Sequence, residues 1–129
     1  MTAARPVLRA MGQRRDHGAA PAFEVAAVII GGLAGVAVRG EVDLVTAPEL
    51  TAALEERIRR SSGPLVVDLS AVDFLDSCGI HCLVRARALL GRKDRQLAVV
   101  CPRANVRRVL ELAGIDQLVA LYDSHDELT

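Results

Sequence analysis

The run Leu65-Val66-Val67-Asp68-Leu69 puts apolar side chains on both faces of any extended chain it forms. Only a strand inside a sheet, flanked on both edges and covered by helices, buries such a run, and at this length it reads as a strand rather than a helix. Ser61-Ser62-Gly63-Pro64 stops whatever precedes it. After it, Ser77 to about Leu90 carries helical spacing, with Ile80, Leu83, Val84 and Ala88 apolar and Arg85, Arg87 and Arg92 on the wet side. Gln96 to Val100 is a second strand, ending at Cys101-Pro102. Ala104 to Ala113 is a helix, with Val106, Val109, Leu110 and Ala113 inward, Arg103, Arg107 and Arg108 outward, and Gly114 as its stop. Leu118 to Leu121 is a last short strand, and residues 122–129 have room for a turn or two of helix.

Upstream, Phe23 to Ile30 and Leu33 to Arg39 read as two strands joined by Gly31-Gly32, a pair that accepts positive φ at both positions of a tight hairpin turn. Gly40-Glu41-Val42-Asp43 then leaves the sheet. Thr46, with Pro48 just inside and Glu49 three residues on, fits a capping box. It opens a helix with Leu50, Leu54 and Ile58 on one face and Glu55, Glu56, Arg57, Arg59 and Arg60 outward. Residues 1–21 read as a disordered basic tail, with Arg5, Arg9, Arg14 and Arg15 against Asp16, ahead of one domain over residues 22–129. Strands that alternate with helices imply parallel pairing. The fold class is therefore α/β: an N-terminal hairpin leading into a mostly parallel sheet with helices packed against it.

Composition removes several function classes. The charges balance at 16 against 16, which leaves no basic field for nucleic acid. Val25 to Val38 is uncharged, but its 14 residues fall short of the roughly 20 of a spanning helix, and Gly31, Gly32 and Gly35 interrupt it. No membrane association is expected. Three cysteines, Cys78, Cys82 and Cys101, suit free thiols in a reducing cytoplasm better than a disulfide framework.

The chemistry concentrates in the stretch from Asp68-Leu69-Ser70 through Asp76-Ser77-Cys78-Gly79. A buried strand delivers Ser77 to a helix N-terminus, where first-turn N–H groups lack helical partners and the dipole favours an anion. Asp76 or Ser77 can cap that helix, and Gly79 leaves space for close approach. By itself Asp-Ser before a helix is ordinary capping chemistry.

Three segments in order change its weight: Arg39-Gly40-Glu41-Val42-Asp43 with Thr46-Ala47, the stretch from Asp68 to Gly79, and Cys101-Pro102-Arg103-Ala104-Asn105-Val106 running on to Gly114-Ile115. Over residues 23 to about 126 the chain resembles the STAS domain family of bacterial anti-sigma factor antagonists. The resemblance implies a STAS-like fold and a cytoplasmic partner switch rather than an enzyme. The unphosphorylated protein would bind an anti-sigma factor that is also a serine kinase, so that the sigma factor is freed. Phosphorylation at Ser77 would switch binding off, and a phosphatase would reset it. The docking surface would comprise Glu41, Asp43, Thr46, Asp76, Ser77, Cys78, Gly79, Ile80 and His81, extended by Arg103 and Asn105. The protein would be a monomer or weak homodimer that needs no cofactor of its own. A STAS scaffold subunit of a stress-signalling assembly is the alternative within the fold.

Two residues depart from the family pattern: Cys78 where a second Ser is common, and His81 where Gly is frequent. Cys78, His81 and Cys82 share a helical face, yet structural zinc usually takes four ligands on knuckles, so buried free cysteines are the simpler reading. A serine hydrolase built on Ser77 lacks a Gly-x-Ser-x-Gly elbow, and Gly31-Gly32-Leu33-Ala34-Gly35 lacks the Lys-Ser/Thr of a phosphate-binding loop.

Overall fold

The structure is a computed structural model that describes residues 22–128. The tail expected over residues 1–21 lies outside the described residues. Strands β1 (Glu24–Ile30) and β2 (Leu33–Val42) pair antiparallel. The turn between them has Gly31 at φ 58° and Gly32 at φ 80°, the left-handed pair that the hairpin requires. Helix α1 (Ala47–Arg59) leads to β3 (Leu65–Leu75), α2 (Ser77–Gly91) to β4 (Leu97–Val100), and α3 (Ala104–Leu112) to β5 (Ala120–Tyr122). Short 3₁₀ turns cover Ile115–Gln117 and His125–Leu128. The five strands lie in the order β1-β2-β3-β4-β5, parallel from β2 onward, so the α/β class expected from the sequence is the one observed.

The main core joins Leu50, Leu54 and Ile58 of α1, Leu83 and Leu90 of α2 and Val106 and Leu110 of α3 to Leu65, Val67 and Leu69 of β3. Helices α1, α2 and α3 therefore serve one face of the sheet. The other face carries a small cluster of Ile30, Val66 and Val100, with Val28, Tyr122 and Leu128 packed against it. Odd and even residues of β3 thus bury into different cores, as a strand apolar on both faces demands. Arg57 ties the hairpin to α1, donating to the Gly35 carbonyl (3.0 Å) and the Val28 carbonyl (2.7 Å).

Several boundaries differ from the sequence reading. Both β2 and β3 run on toward the site, to Val42 and Leu75. The pairing of β3 with β2 slips twice, between Ala37 and Arg39 and between Gly40 and Glu41. Each slip places an extra β3 residue against its partner and breaks the inside-outside alternation, so the sequence pattern shows the strand only as the apolar run Leu65 to Leu69. On α2 the buried face is Gly79, Cys82, Leu83, Ala86 and Leu90, while Val84 and Ala88 are exposed. The helix is apolar most of the way round, so spacing alone did not choose the face. Ala113 is exposed as the C-terminal cap of α3, and the 3₁₀ turn after it delays the last strand to Ala120.

Candidate functional site

The site is built where β2 and β3 end. Glu41 pairs with Phe74 and Val42 with Leu75, and the Asp76 N–H donates to the Val42 carbonyl (3.2 Å). The end of β2 is thereby fixed beside the start of α2. Asp76 is the N-cap of α2: its Oδ1 accepts from the Cys78 N–H (2.8 Å), and its carbonyl accepts from Gly79 (3.0 Å) and Ile80 (3.1 Å). These bonds engage three first-turn amides, which corrects the expectation of free donors around Ser77. The Ser77 side chain is exposed beside a carboxylate that already serves the helix end.

The turn before α1 corrects a second expectation. Thr46 has helical backbone angles and caps nothing with its side chain. Asp43 is the cap in its place, its Oδ1 accepting from Val45 N–H (3.0 Å) and Thr46 N–H (3.1 Å). The Asp43 N–H donates back to Thr46 Oγ1 (3.0 Å), and that hydroxyl donates to the Glu41 carbonyl (2.8 Å). A capping box is present, but it spans Asp43-Leu44-Val45-Thr46, three residues ahead of the expected one. It buries Thr46 and turns its neighbours outward, leaving Leu44 76% and Val45 81% exposed.

Arg103 and Asn105 approach from the other side of β3. Pairing with β4 ends at Asp68 and Val100, so the bulged stretch beyond lacks a strand there. Arg103 fills the gap by donating to the Ser70 carbonyl (3.1 Å) and pairing with the Asp73 carboxylate, and Asn105 Nδ2 donates to the Asp73 carbonyl (3.1 Å). Deeper in the same strand, burial would push the Asp68 carboxyl up. The Ser70 hydroxyl and N–H, and then His125, outweigh burial and hold it below its ordinary value.

Of the residues expected at a docking surface, Glu41, Ser77, His81, Arg103 and Asn105 are exposed, and Asp43, Asp76, Cys78 and Ile80 are partly so. Thr46 and Gly79 are buried. A Cβ on Gly79 would lie 2.6 Å from Leu75 Cγ and 3.0 Å from Val42 Cγ1, so the missing side chain admits the sheet rather than a partner. Leu44, Val45 and Phe74 are large exposed apolar residues that the sequence reading passed over. The signal for the first two is a pair of apolar residues inside an Asp-x-x-Thr turn; Phe74 was hidden by the bulge. Between α1 and α2 lies a groove of about 510 Å³ lined in part by Leu44, Pro48, Thr51, Cys78 and His81.

The cysteines are all free thiols. Partial desolvation, then the Asp76 and Asp43 carboxylates, push the Cys78 thiol up, and burial does the same for Cys82 and Cys101. Cys82 Sγ faces α1, 3.3 Å from Thr51 Oγ1. Among the described residues no His/Cys/Asp/Glu group is placed to hold a metal ion, and no helix is long and apolar enough to cross a membrane.

Comparison with known proteins gives a consistent answer. The STAS domain family model matches residues 24–128. The anti-sigma-F factor antagonist RsfB of Mycobacterium tuberculosis is 36% identical over 99 residues, which are 76% of this chain and 80% of that protein. The crystal structure of an anti-sigma factor antagonist from Mycobacterium paratuberculosis superposes with a TM-score of 0.75 at 35% identity, covering 81% of this chain and 89% of that one. Unphosphorylated SpoIIAA, an anti-sigma factor antagonist, shares the fold with a TM-score of 0.65 at 16% identity, over 82% of this chain and 92% of its own. With this site at the ends of β2 and β3, the chain belongs to the STAS domain family, among relatives named anti-sigma factor antagonists.

Proposed function

We propose that this protein is a cytoplasmic anti-sigma factor antagonist whose unphosphorylated form binds a kinase-type anti-sigma factor and releases the sigma factor. The observation that carries the reading is the exposed Ser77 on the first residue of α2, directly after its capping Asp76, in a chain whose relatives bear that name. Leu44, Val45 and Phe74 supply apolar contact around it, Glu41, Asp43 and His81 supply polar contact, and Arg103 and Asn105 extend the strip across β3.

Phosphorylation of Ser77 adds about 1.5 to 2 negative charges at pH 7. The added group meets the Asp76 carboxylate and first-turn amides that are already engaged. Two like charges about 4 Å apart near a surface repel by roughly 4 kcal/mol at an effective dielectric of 20. A hundredfold loss of affinity needs only about 2.7 kcal/mol, so local repulsion suffices without refolding. A phosphatase then resets the protein.

The test is binding of Ser77→Ala and Ser77→Asp to a cognate kinase-type anti-sigma factor by calorimetry, with the phosphorylated residue located by mass spectrometry after incubation with ATP. Ser77→Ala should bind like wild type, and Ser77→Asp roughly a hundredfold more weakly. Equal binding by both variants, or phosphate on another residue, removes Ser77 from the switch.

A further inference from the structure

The opposite end of α2 holds a cavity that the docking site does not use. It measures about 720 Å³, inside the range of about 300 to 1,000 Å³ usual for small-molecule sites. Ser77 and Gly91 are the two ends of α2, about 21 Å apart at the ~1.5 Å helical rise per residue, so cavity and switch are separate. Leu97 and Leu118 give it apolar wall, and Arg87, Arg92, Gln96 and Gln117 give it polar groups.

Its charge is one-sided. Among the described residues no acidic side chain lines it. Among the described residues Arg39, Arg59, Arg60, Arg85, Arg103 and Arg107 each pair with a carboxylate, whereas Arg57, Arg87, Arg92, Arg95 and Arg108 make no ion pair, and three of these five, Arg87, Arg92 and Arg95, line the cavity. Arg87 is held in place by a bond from Nε to the Leu118 carbonyl (2.9 Å). Arg95 also lines the cavity, but its guanidinium is engaged by Gly63, Ile58 and Ser61. The helix C-terminus would normally add negative carbonyl ends here. The turn from Arg92 to Arg95 closes over them, with Arg92 N–H on Ala88, Lys93 and Arg95 N–H on Leu90, and Asp94 N–H on Gly91. The Asp116 carboxylate, outside the lining, accepts from Gln117 Nε2 (3.3 Å).

We infer that this cavity is a binding site for a small organic anion, a phosphate monoester or carboxylate whose apolar body rests on Leu97 and Leu118 while Arg87 and Arg92 hold its charged head. Arg87 and Arg92, two arginines without an ion pair, line one partly apolar hollow in a chain whose formal charges cancel overall. Arginine donors suit a planar or tetrahedral oxyanion with two or more oxygens.

Phenyl phosphate serves as probe, followed by amide chemical shifts of the full chain in NMR titration. Saturable shifts confined to residues 87–97 and 117–120, with a Kd of about 1 mM or tighter, are expected. Arg92→Gln, a change at an exposed position, should weaken binding roughly tenfold. Arg87→Gln should do the same and Arg87→Lys should recover part of it, while Arg108→Gln on α3 should change nothing. Scattered or unsaturable shifts, an equal response to phenol, or indifference to Arg92→Gln overturns the site. Binding of an acidic helical peptide with no response to phenyl phosphate overturns it in favour of a protein partner.

Discussion

Gly79 shows how much one missing methyl group decides. It lies in the first turn of α2, buried against Leu75 and Val42, and sets how closely the helix that carries Ser77 approaches the sheet. Gly79→Ala forces Leu75 or the helix to move. The expected result is a loss of about 1 to 3 kcal/mol in urea unfolding, with altered amide shifts at Asp76 to Ile80. A substitution acting only on a partner would leave stability unchanged. Thr46 is a comparable case. Its hydroxyl bridges Asp43 and Glu41, so Thr46→Val should loosen the turn that presents Leu44 and Val45 and lower stability by about 1 kcal/mol.

Among the elements, β3 does the most to place the site, and it does so by departing from regular pairing. Its two bulges carry the strand past β4 and leave the Ser70 and Asp73 carbonyls to side chains of the loop and helix that follow β4. Arg103→Ala therefore exposes the stretch from Ser70 to Ser77 to solvent exchange. Hydrogen–deuterium exchange there should speed up by about tenfold or more while β3 from Leu65 to Asp68 stays protected. Unchanged exchange would mean that the bulged segment holds itself. Arg103 thus has a structural duty whether or not a partner also touches it.

For the molecule as a whole, the asymmetry of the sheet matters. Among the described residues, three helices cover one face, and the other carries a small cluster closed by the last turn. Asp68 stands on that second face and links β3 to His125. Its folded-state pKa lies below the ordinary 3.8, so the unfolded chain binds more protons between the two values. The stabilisation is complete above the unfolded value and is lost as pH falls through the folded one. Wild type should exceed Asp68→Asn in unfolding free energy near neutral pH, and the gap should close on acidification below 3.8; a gap independent of pH would deny the linkage.

The sequence by itself determined the class of fold, the hairpin, the order of strands and helices, and Ser77 at the head of a helix. Each rests on local chemistry: paired glycines, an apolar run, helical spacing, and an Asp-Ser before a helix. What it left open depends on contacts far apart in the chain. The sequence spacing puts Val84 and Ala88 on the inner face of α2, but apolar residues occur on several sides of that helix, and the packing of Gly79 on Leu75 and Val42 turns Cys82, Ala86 and Leu90 inward instead. The end of β3 is hidden because bulges erase alternation, and the hold of Arg103 and Asn105 on it leaves no mark in the sequence because the carbonyls they serve lie about thirty residues earlier. The capping box moved from Thr46 to Asp43 because the Glu41 carbonyl at the end of β2 competes for the threonine hydroxyl. Only the tertiary structure brings such donors and acceptors together, and burial then requires that they be paired.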